Sequence, residues 1–338
     1  MIQVSSDICV VIPSNHSHDE LIVLIKAIDN QIVKPTEIVI VDSSFQRGKC
    51  PPEISILCAA SGIKLIYEHK SSALPGGARN IGVIKAGTGL IALLDVKTIP
   101  RPDWLEKSLR MLAIDGVLGV WGSTYFSAEN KFERLVRDGL FGIHPRKTLP
   151  GSVFRREVFE KAGEFIDWVR AGEDTEWMLR VEVLKITVVN TTHAVDYTGL
   201  IGSDAKQLLN KWHRNYTMSR ELPHLFPQKL LLWLIFYPML IMVAFNWNYL
   251  IADWRMDSPL YLGHVTKIMT LLPIFMYVVI RGIVTPLKRG VAFWQLLPTR
   301  FLVITLVCFM ADFVKVLVLS SPKSKNYASF GSNDHTNG

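Results

Sequence analysis

The strongest constraint on this chain is a change of character near Phe226. Before it, apolar runs alternate with polar stretches. After it come three apolar segments, at 230–251, 261–280 and 301–320, each near the roughly 20 residues that cross a bilayer core. The 49% hydrophobic and 20% charged residues therefore average over two unlike parts. The sequence predicts a polar domain at 1–200, an amphipathic interfacial linker at 201–228, three transmembrane helices within 229–321, and a flexible polar tail at 322–338. Arg281, Lys288, Arg289 and Arg300 lie in or flank the loop between the second and third segments, whereas the loop before it carries only Asp253, Arg255 and Asp257. That bias predicts a multi-pass membrane protein whose N-terminal domain is cytoplasmic. Lys267 makes the second segment the least apolar of the three. In the third, Asp312 and Lys315 lie three apart on one helical face, either as a mutual ion pair or with Lys315 meeting a lipid phosphate.

The N-terminal part reads as alternating strands and helices: ICVVI at 8–12, DELIVLIKAIDNQ, EIVIVD at 37–42, KLIYE at 64–68, GARNIGVIKAG, LIALLD at 90–95 and DWLEKSLRML. This predicts an α/β domain on a largely parallel sheet. The residues before the first run carry no basic region, so that run is read as a strand and not a signal peptide. Beyond Pro150 a helix is expected at 154–162, capped by Ser152, then a helix from Glu173 to about 184, a strand at ITVVN, and an amphipathic helix at 204–220 suited to a membrane surface. The four cysteines have no CxxC spacing and read as reduced core thiols. A formal charge of +7 suits anionic lipid or phosphorylated substrates, and no motif points to nucleic acid.

Ligands of such sheets bind beyond the carboxyl ends of the strands, which directs attention to Pro13 to Asn15, Asp42 to Ser44 and Asp95 to Lys97. Asp42 is a candidate nucleoside contact or a turn former. Gly76 and Gly77 in LPGGARNIG allow close backbone approach, and Arg79 offers a planar fork to phosphate or base, or else a solvated charge at a helix start. Asp95 ends an apolar run. Glu173 and Asp174 open a helix, where acids also serve as simple caps. The first strand is followed by PSNHSHDE and not by GxGxxG, which disfavours a dinucleotide oxidoreductase.

In their order these residues resemble family 2 glycosyltransferases of the GT-A fold, over about residues 7–190. VVIP, IVDSS, ARNIG, the Asp95 position of a DxD motif, and FRREVFEKAGEF followed by GEDTEWMLR carry the resemblance. It implies a membrane-bound, inverting, hexosyltransferase-type enzyme moving a sugar from a nucleotide-diphosphate donor to a lipid-linked or glycan acceptor. Pro13, Asp42, Arg79, Asp95 and Lys97 are the implied donor-binding residues, and Asp174, with Glu173 second, the implied base. Asp95 is also the implied ligand of a Mg²⁺ or Mn²⁺ ion. The usual second Asp of DxD is Lys97 here, which leaves three readings: its ammonium neutralises the diphosphate, Asp95 and another residue hold the metal, or the chain is an inactive transferase-like scaffold that binds nucleotide sugar without turnover. QLLNKW at 207–212 departs from the QxxRW motif of processive synthases in spacing and in Lys211, so single-sugar transfer is expected.

Overall fold

A computed structural model describes residues 7–44, 49–192, 194–200, 205–222, 238–239, 241–243, 245–250 and 255–320. The described chain clusters into two units, one made of Met1–Glu133, Ile143–Leu225 and Phe313–Gly338, the other of Arg134–Gly142 and Phe226–Asp312.

The first unit is built on one mixed sheet. Strands β1 (Ile8–Ser14), β2 (Glu37–Asp42), β3 (Lys64–His69) and β4 (Leu90–Leu93) are parallel neighbours in the order β3-β2-β1-β4. All six residues of β2 are buried, as continuous apolar runs covered on both faces require. Alternation along β1 divides the core. Ile8, Val10 and Ile12 pack with helices α1 (His18–Asp29), α2 (Pro52–Ala60) and α4 (Trp104–Leu112). Cys9 and Val11 pack on the other face with α3 (Pro75–Lys85), α6 (Arg156–Ala162) and α7 (Glu173–Val183).

Beyond β4 the sheet becomes mixed. β7 (Arg146–Arg155) pairs antiparallel with β4 and with β6 (Gly119–Phe126). On its other edge β6 carries β8 (Val188–Asn190) and then β9 (Val195–Tyr197), both parallel to it, and β9 pairs antiparallel with β5 (Thr98–Pro100). Residues 152–155, expected to cap and begin a helix, belong to β7. Ser152 is fully buried, accepts a hydrogen bond from Gly122 N at 2.7 Å and donates to Thr148 O. Its helix-like surroundings lose to sheet pairing, and the helix starts only at Arg156. Helix α5 (Lys131–Val136) lies between β6 and β7, and α8 (Ala205–Glu221) follows β9. The cysteines are free thiols. Burial pushes Cys58 up to about 11, with Cys50 and Asp29 adding to the rise, and raises Cys9 further.

In the second unit, α9 (Val265–Val278) runs through a wider turn into α10 (Thr285–Lys288). Helix α11 (Arg300–Ser320) follows, its last residues belonging to the first unit. Among the described residues two stretches are long and apolar enough to cross a membrane, Leu271–Lys288 and Arg300–Val318. Half of the apolar segment expected at 230–251 lies outside the described residues. The segment expected at 261–280 is displaced towards the C-terminus, because His264 adopts a left-handed backbone and the helix begins after it. Arg281, in the wider turn after that helix, donates from Nη2 to Asp312 at 3.0 Å, while Tyr277 donates to Asp312 at 2.8 Å. Asp312 is thus held by Arg281 and Tyr277, and Lys315 Nζ lies over the Tyr216 ring at 5.6 Å.

Where α3 crosses β1, a Cβ built on Gly82 lies 2.2 Å from Val11 Cγ1. Gly82→Ala is therefore expected to lower stability by about 1–3 kcal/mol through overpacking, despite alanine's better helix propensity. Chemical denaturation of the variant measures it.

Candidate active site

Three segments distant in sequence meet at Arg79. The first turn of α3 packs so closely on the 165–167 segment that a Cβ on Gly76 would lie 2.0 Å from Ile166 O. One turn further on, Asn80 clamps the same segment in both directions, accepting from Phe165 N and donating to Phe165 O, each at 2.8 Å. With α3 fixed, the Arg79 side chain, 5% exposed, lies with Cζ 5.8 Å from the Phe165 ring centre. Its Nη1 donates to Glu173 Oε1 at 2.7 Å and its Nη2 to Asp95 Oδ1 at 2.8 Å. The fork expected to meet a ligand is taken by two protein carboxylates.

Those carboxylates differ in access. Glu173 is buried at the start of α7, just after Gly172 in a left-handed conformation, and its Oε2 has no hydrogen-bond partner among the described residues. Burial pushes its carboxyl upward; Arg79 pulls it back and the Asp174 charge adds to the rise. Burial also works against the Arg79 guanidinium, but the charges of Asp95, Glu173 and Asp174 outweigh it and hold Arg79 above its usual range. Asp174 is half-buried and accepts from Thr175 N at 2.7 Å through Oδ1. Asp95 is 36% exposed, with one oxygen held by Arg79. Asp95 and Asp174 thus both act on one guanidinium.

Lys97 lies beyond Asp95, half-exposed, with Nζ 3.8 Å from Glu20 Oε1. Its side chain runs along Gly199, where a built Cβ would be 3.6 Å from Nζ, and its carbonyl accepts from Thr198 N at 2.9 Å. β9 thereby brings Tyr197 to the same place. Burial raises the Tyr197 hydroxyl, Asp95 raises it further, and Lys97 pulls it down. Lys211 of α8 donates to the Tyr197 hydroxyl at 3.4 Å and lies 5.6 Å from its ring centre. Sequence reasoning did not single out Tyr197, and it discounted Lys211 for its motif spacing; the only signal was a cation among apolar residues of an amphipathic helix.

The other expected residues lie at the strand ends. Asp42 is 3% exposed, with Oδ2 accepting from Ser44 Oγ at 2.6 Å and Tyr67 Oη at 3.1 Å, and Oδ1 from Ser44 N at 3.2 Å. Pro13 pairs in register with Val41 beside it.

The protein itself offers few donors to a divalent ion here. Asp95 contributes one oxygen beyond its Arg79 contact, the next candidate ligand is an ammonium, and no group of three or more His, Cys, Asp or Glu gathers among the described residues.

Residues 9–170 match the family model described as Glycosyl transferase family 2. Glycosyltransferase AglE of Haloferax volcanii is 23% identical over 185 residues, 51% of this chain and 60% of that protein, so the match spans less than two thirds of the relative. The solved structure of the mannosyltransferase PcManGT from Pyrobaculum calidifontis, in complex with GDP-Man and Mn²⁺, matches with a TM-score of 0.54 at 13% identity, covering 93% of this chain and 87% of that one. At that identity the likeness concerns the fold.

Arg79→Ala leaves Glu173 buried without its cation and is expected to destabilise the domain by about 3–5 kcal/mol. Glu173→Gln keeps a hydrogen-bond acceptor for Arg79 and is expected to cost clearly less. Urea unfolding of the two variants compares them.

Proposed function

We infer that this chain, whose residues 9–170 form a family 2 glycosyltransferase domain of GT-A fold, moves one sugar from a nucleotide-diphosphate donor to an acceptor hydroxyl with inversion at the anomeric carbon. The observation that carries the reading is the single guanidinium shared by Asp95, at the mouth of the sheet, and Glu173, with Asp174 coupled to the same charge. Donor and acceptor chemistry are thereby brought together from separate segments.

Asp174 is the base, because it is accessible and stands at a helix start beside the Arg79 network. As the acceptor oxygen bonds to the anomeric carbon, its proton passes to the Asp174 carboxylate, and the bond to the diphosphate breaks with its electron pair leaving on phosphate. Attack from the face opposite that bond inverts the centre. Glu173 is a positioning residue: buried and held by Arg79, it reaches no solvent-borne acceptor. Asp95 orients the donor through its second oxygen. Lys97 supplies positive charge to the leaving diphosphate, a task that a compact ammonium performs without a metal. Asp42 and Pro13 form the nucleoside end, with Asp42 shaping the turn through Ser44 and Tyr67.

Membrane attachment belongs to the same reading. Leu271, Phe275, Leu306 and Phe309, all more than half exposed on the two long apolar stretches, support a lipid environment and hence a lipid-linked acceptor. With a third crossing at 230–251 and the basic residues Arg281, Lys288, Arg289 and Arg300 on the inside, the domain faces the cytoplasm.

Asp174→Asn is expected to lower transfer by about 10²–10⁴-fold while the donor still binds. Nucleotide release from UDP-, GDP- and TDP-sugars reads transfer, and donor titration reads binding. Wild-type protein that binds donor and never turns it over identifies a scaffold instead. Transfer is also expected to persist in EDTA; complete loss restored by Mg²⁺ or Mn²⁺ assigns the leaving group to a metal and not to Lys97.

A further inference from the structure

Helix α3 has a second face that the donor reading does not use. Gly77, Ile81 and Ile84 recur at helical spacing on the side turned away from Arg79 and from Gly82, which lies against β1. Beside that face is a hollow of about 640 Å³, within the range of small-ligand sites. Three segments enclose it: α3 itself, the 70–74 loop that leads into α3, and the 164–168 segment. Their mutual positions are fixed from within the fold. Asn80 holds the Phe165 backbone in both directions at 2.8 Å, and a Cβ built on Gly77 would lie 3.3 Å from Asp167 Cβ. The loop is tied to the end of β2, with Lys70 N donating to Asp42 O at 2.9 Å and Ser72 N to Ser43 O at 3.2 Å.

The lining has two characters. Ile81 and Ile84 make an apolar floor, and Trp168, 44% exposed, offers an aromatic ring beside it. Lys70, Glu164 and Asp167, all exposed, stand around them. An acyl chain gains from the floor but takes water from three charged groups at the rim. A phosphate meets two carboxylates of its own sign. A sugar ring suits both parts, because its C–H face stacks on an aromatic ring while its hydroxyls donate to carboxylates and accept from an ammonium.

We propose that this hollow is a second carbohydrate subsite, holding a sugar residue other than the one transferred, with Trp168 as its platform and Asp167, Glu164 and Lys70 as its hydroxyl partners. The donor's own sugar and a glycan carried by the acceptor are the two sources of that chemistry. The acceptor is favoured by position. Arg79 and its contact with Asp95 lie on the other side of α3, whereas the 164–168 segment continues through Gly172 into Asp174. A glycan reaching from the base to this hollow has one sugar at the reaction and another on Trp168. Its assignment to the acceptor rests on the transferase reading; the sugar chemistry of the hollow does not.

The experiment uses the full chain in lipid nanodiscs, which avoid sugar-headed detergents, and titrates it with the methyl glycosides of mannose, glucose, galactose and N-acetylglucosamine. Saturation-transfer NMR reads the binding, with UDP or GDP present in excess to fill the donor cleft. At least one glycoside is expected to bind with a Kd of roughly 1 mM, the weak range of one stacked ring and a few exposed hydrogen bonds. Trp168→Ala is expected to weaken it at least tenfold, and Trp168→Phe, which keeps a ring, to recover most of the loss. Asp167→Asn and Glu164→Gln are each expected to weaken it by about tenfold, the size of one hydrogen bond to a charged group. Lys107→Gln, in a surface pair with Asp103, serves as the control that changes nothing. The thermal transition of each variant checks its folding. No binding of any of the glycosides at a hundred times the expected Kd overturns the proposal, as does binding that Trp168→Ala leaves unchanged. Displacement of the sugar by UDP or GDP assigns it to the donor cleft and overturns the proposal as well. Wild type that binds sugar through Trp168 and never turns over a nucleotide sugar overturns the transferase reading alone and leaves the subsite standing.

Discussion

The geometry of the site depends on one buried cation with two carboxylate partners. Arg79 projects from a helix whose first turn lies against the 165–167 backbone, and it reaches both the end of the central parallel strands and the start of α7. Such an arrangement is a poor way to gain stability, since desolvating a guanidinium and a carboxylate costs about as much as their attraction returns. What it gains is position. Breaking it leaves a buried charge, so the three segments keep one relation to each other, and the acid at the mouth of the sheet and the acid at the helix start come under the same field.

That constraint explains which parts of the site were legible in the sequence. The apolar runs at 8–12 and 37–42 must be strands covered on both faces, and an acid ending such a run marks the ligand edge; Asp42 and Asp95 follow directly. The partner of Arg79 does not. Glu173 lies 94 residues away, and nothing local distinguishes an arginine that will bind a ligand from one that will be consumed by the protein. Asp42 carries the same lesson, because its oxygens are taken by Ser44 and Tyr67, the latter arriving from a neighbouring strand.

The misread stretch around Ser152 has a specific cause. Pro150 lacks an N–H and ordinarily argues against a strand interior, so a helix start looks preferable from the residues alone. Here the β6–β7 register shifts between Val120 and Gly122, opposite Pro150, and the irregularity absorbs the missing donor. Gly122 is what makes it fit, since a Cβ there would lie 2.0 Å from Pro150 O. Tyr197 and Lys211 escaped for a different reason: a three-residue strand and an amphipathic helix carry almost no signal, and their meaning arises only where they touch.

Adjacent acids at one helix start illustrate how environment, not residue type, divides the work. Glu173 and Asp174 share the favourable end of the α7 dipole. Burial raises the first and Arg79 pulls it back; the second stays half-exposed, with its neighbour's backbone N–H as partner. A group that is both buried and paired is fixed in place and cannot travel with a proton, whereas a group at the rim can accept one and release it to solvent. The same logic separates the cations. Arg79 is spent inside the protein between Glu173 and Asp95, while Lys97 keeps nearly half of its side chain exposed beyond Asp95, so the two cations next to the same acid do different work.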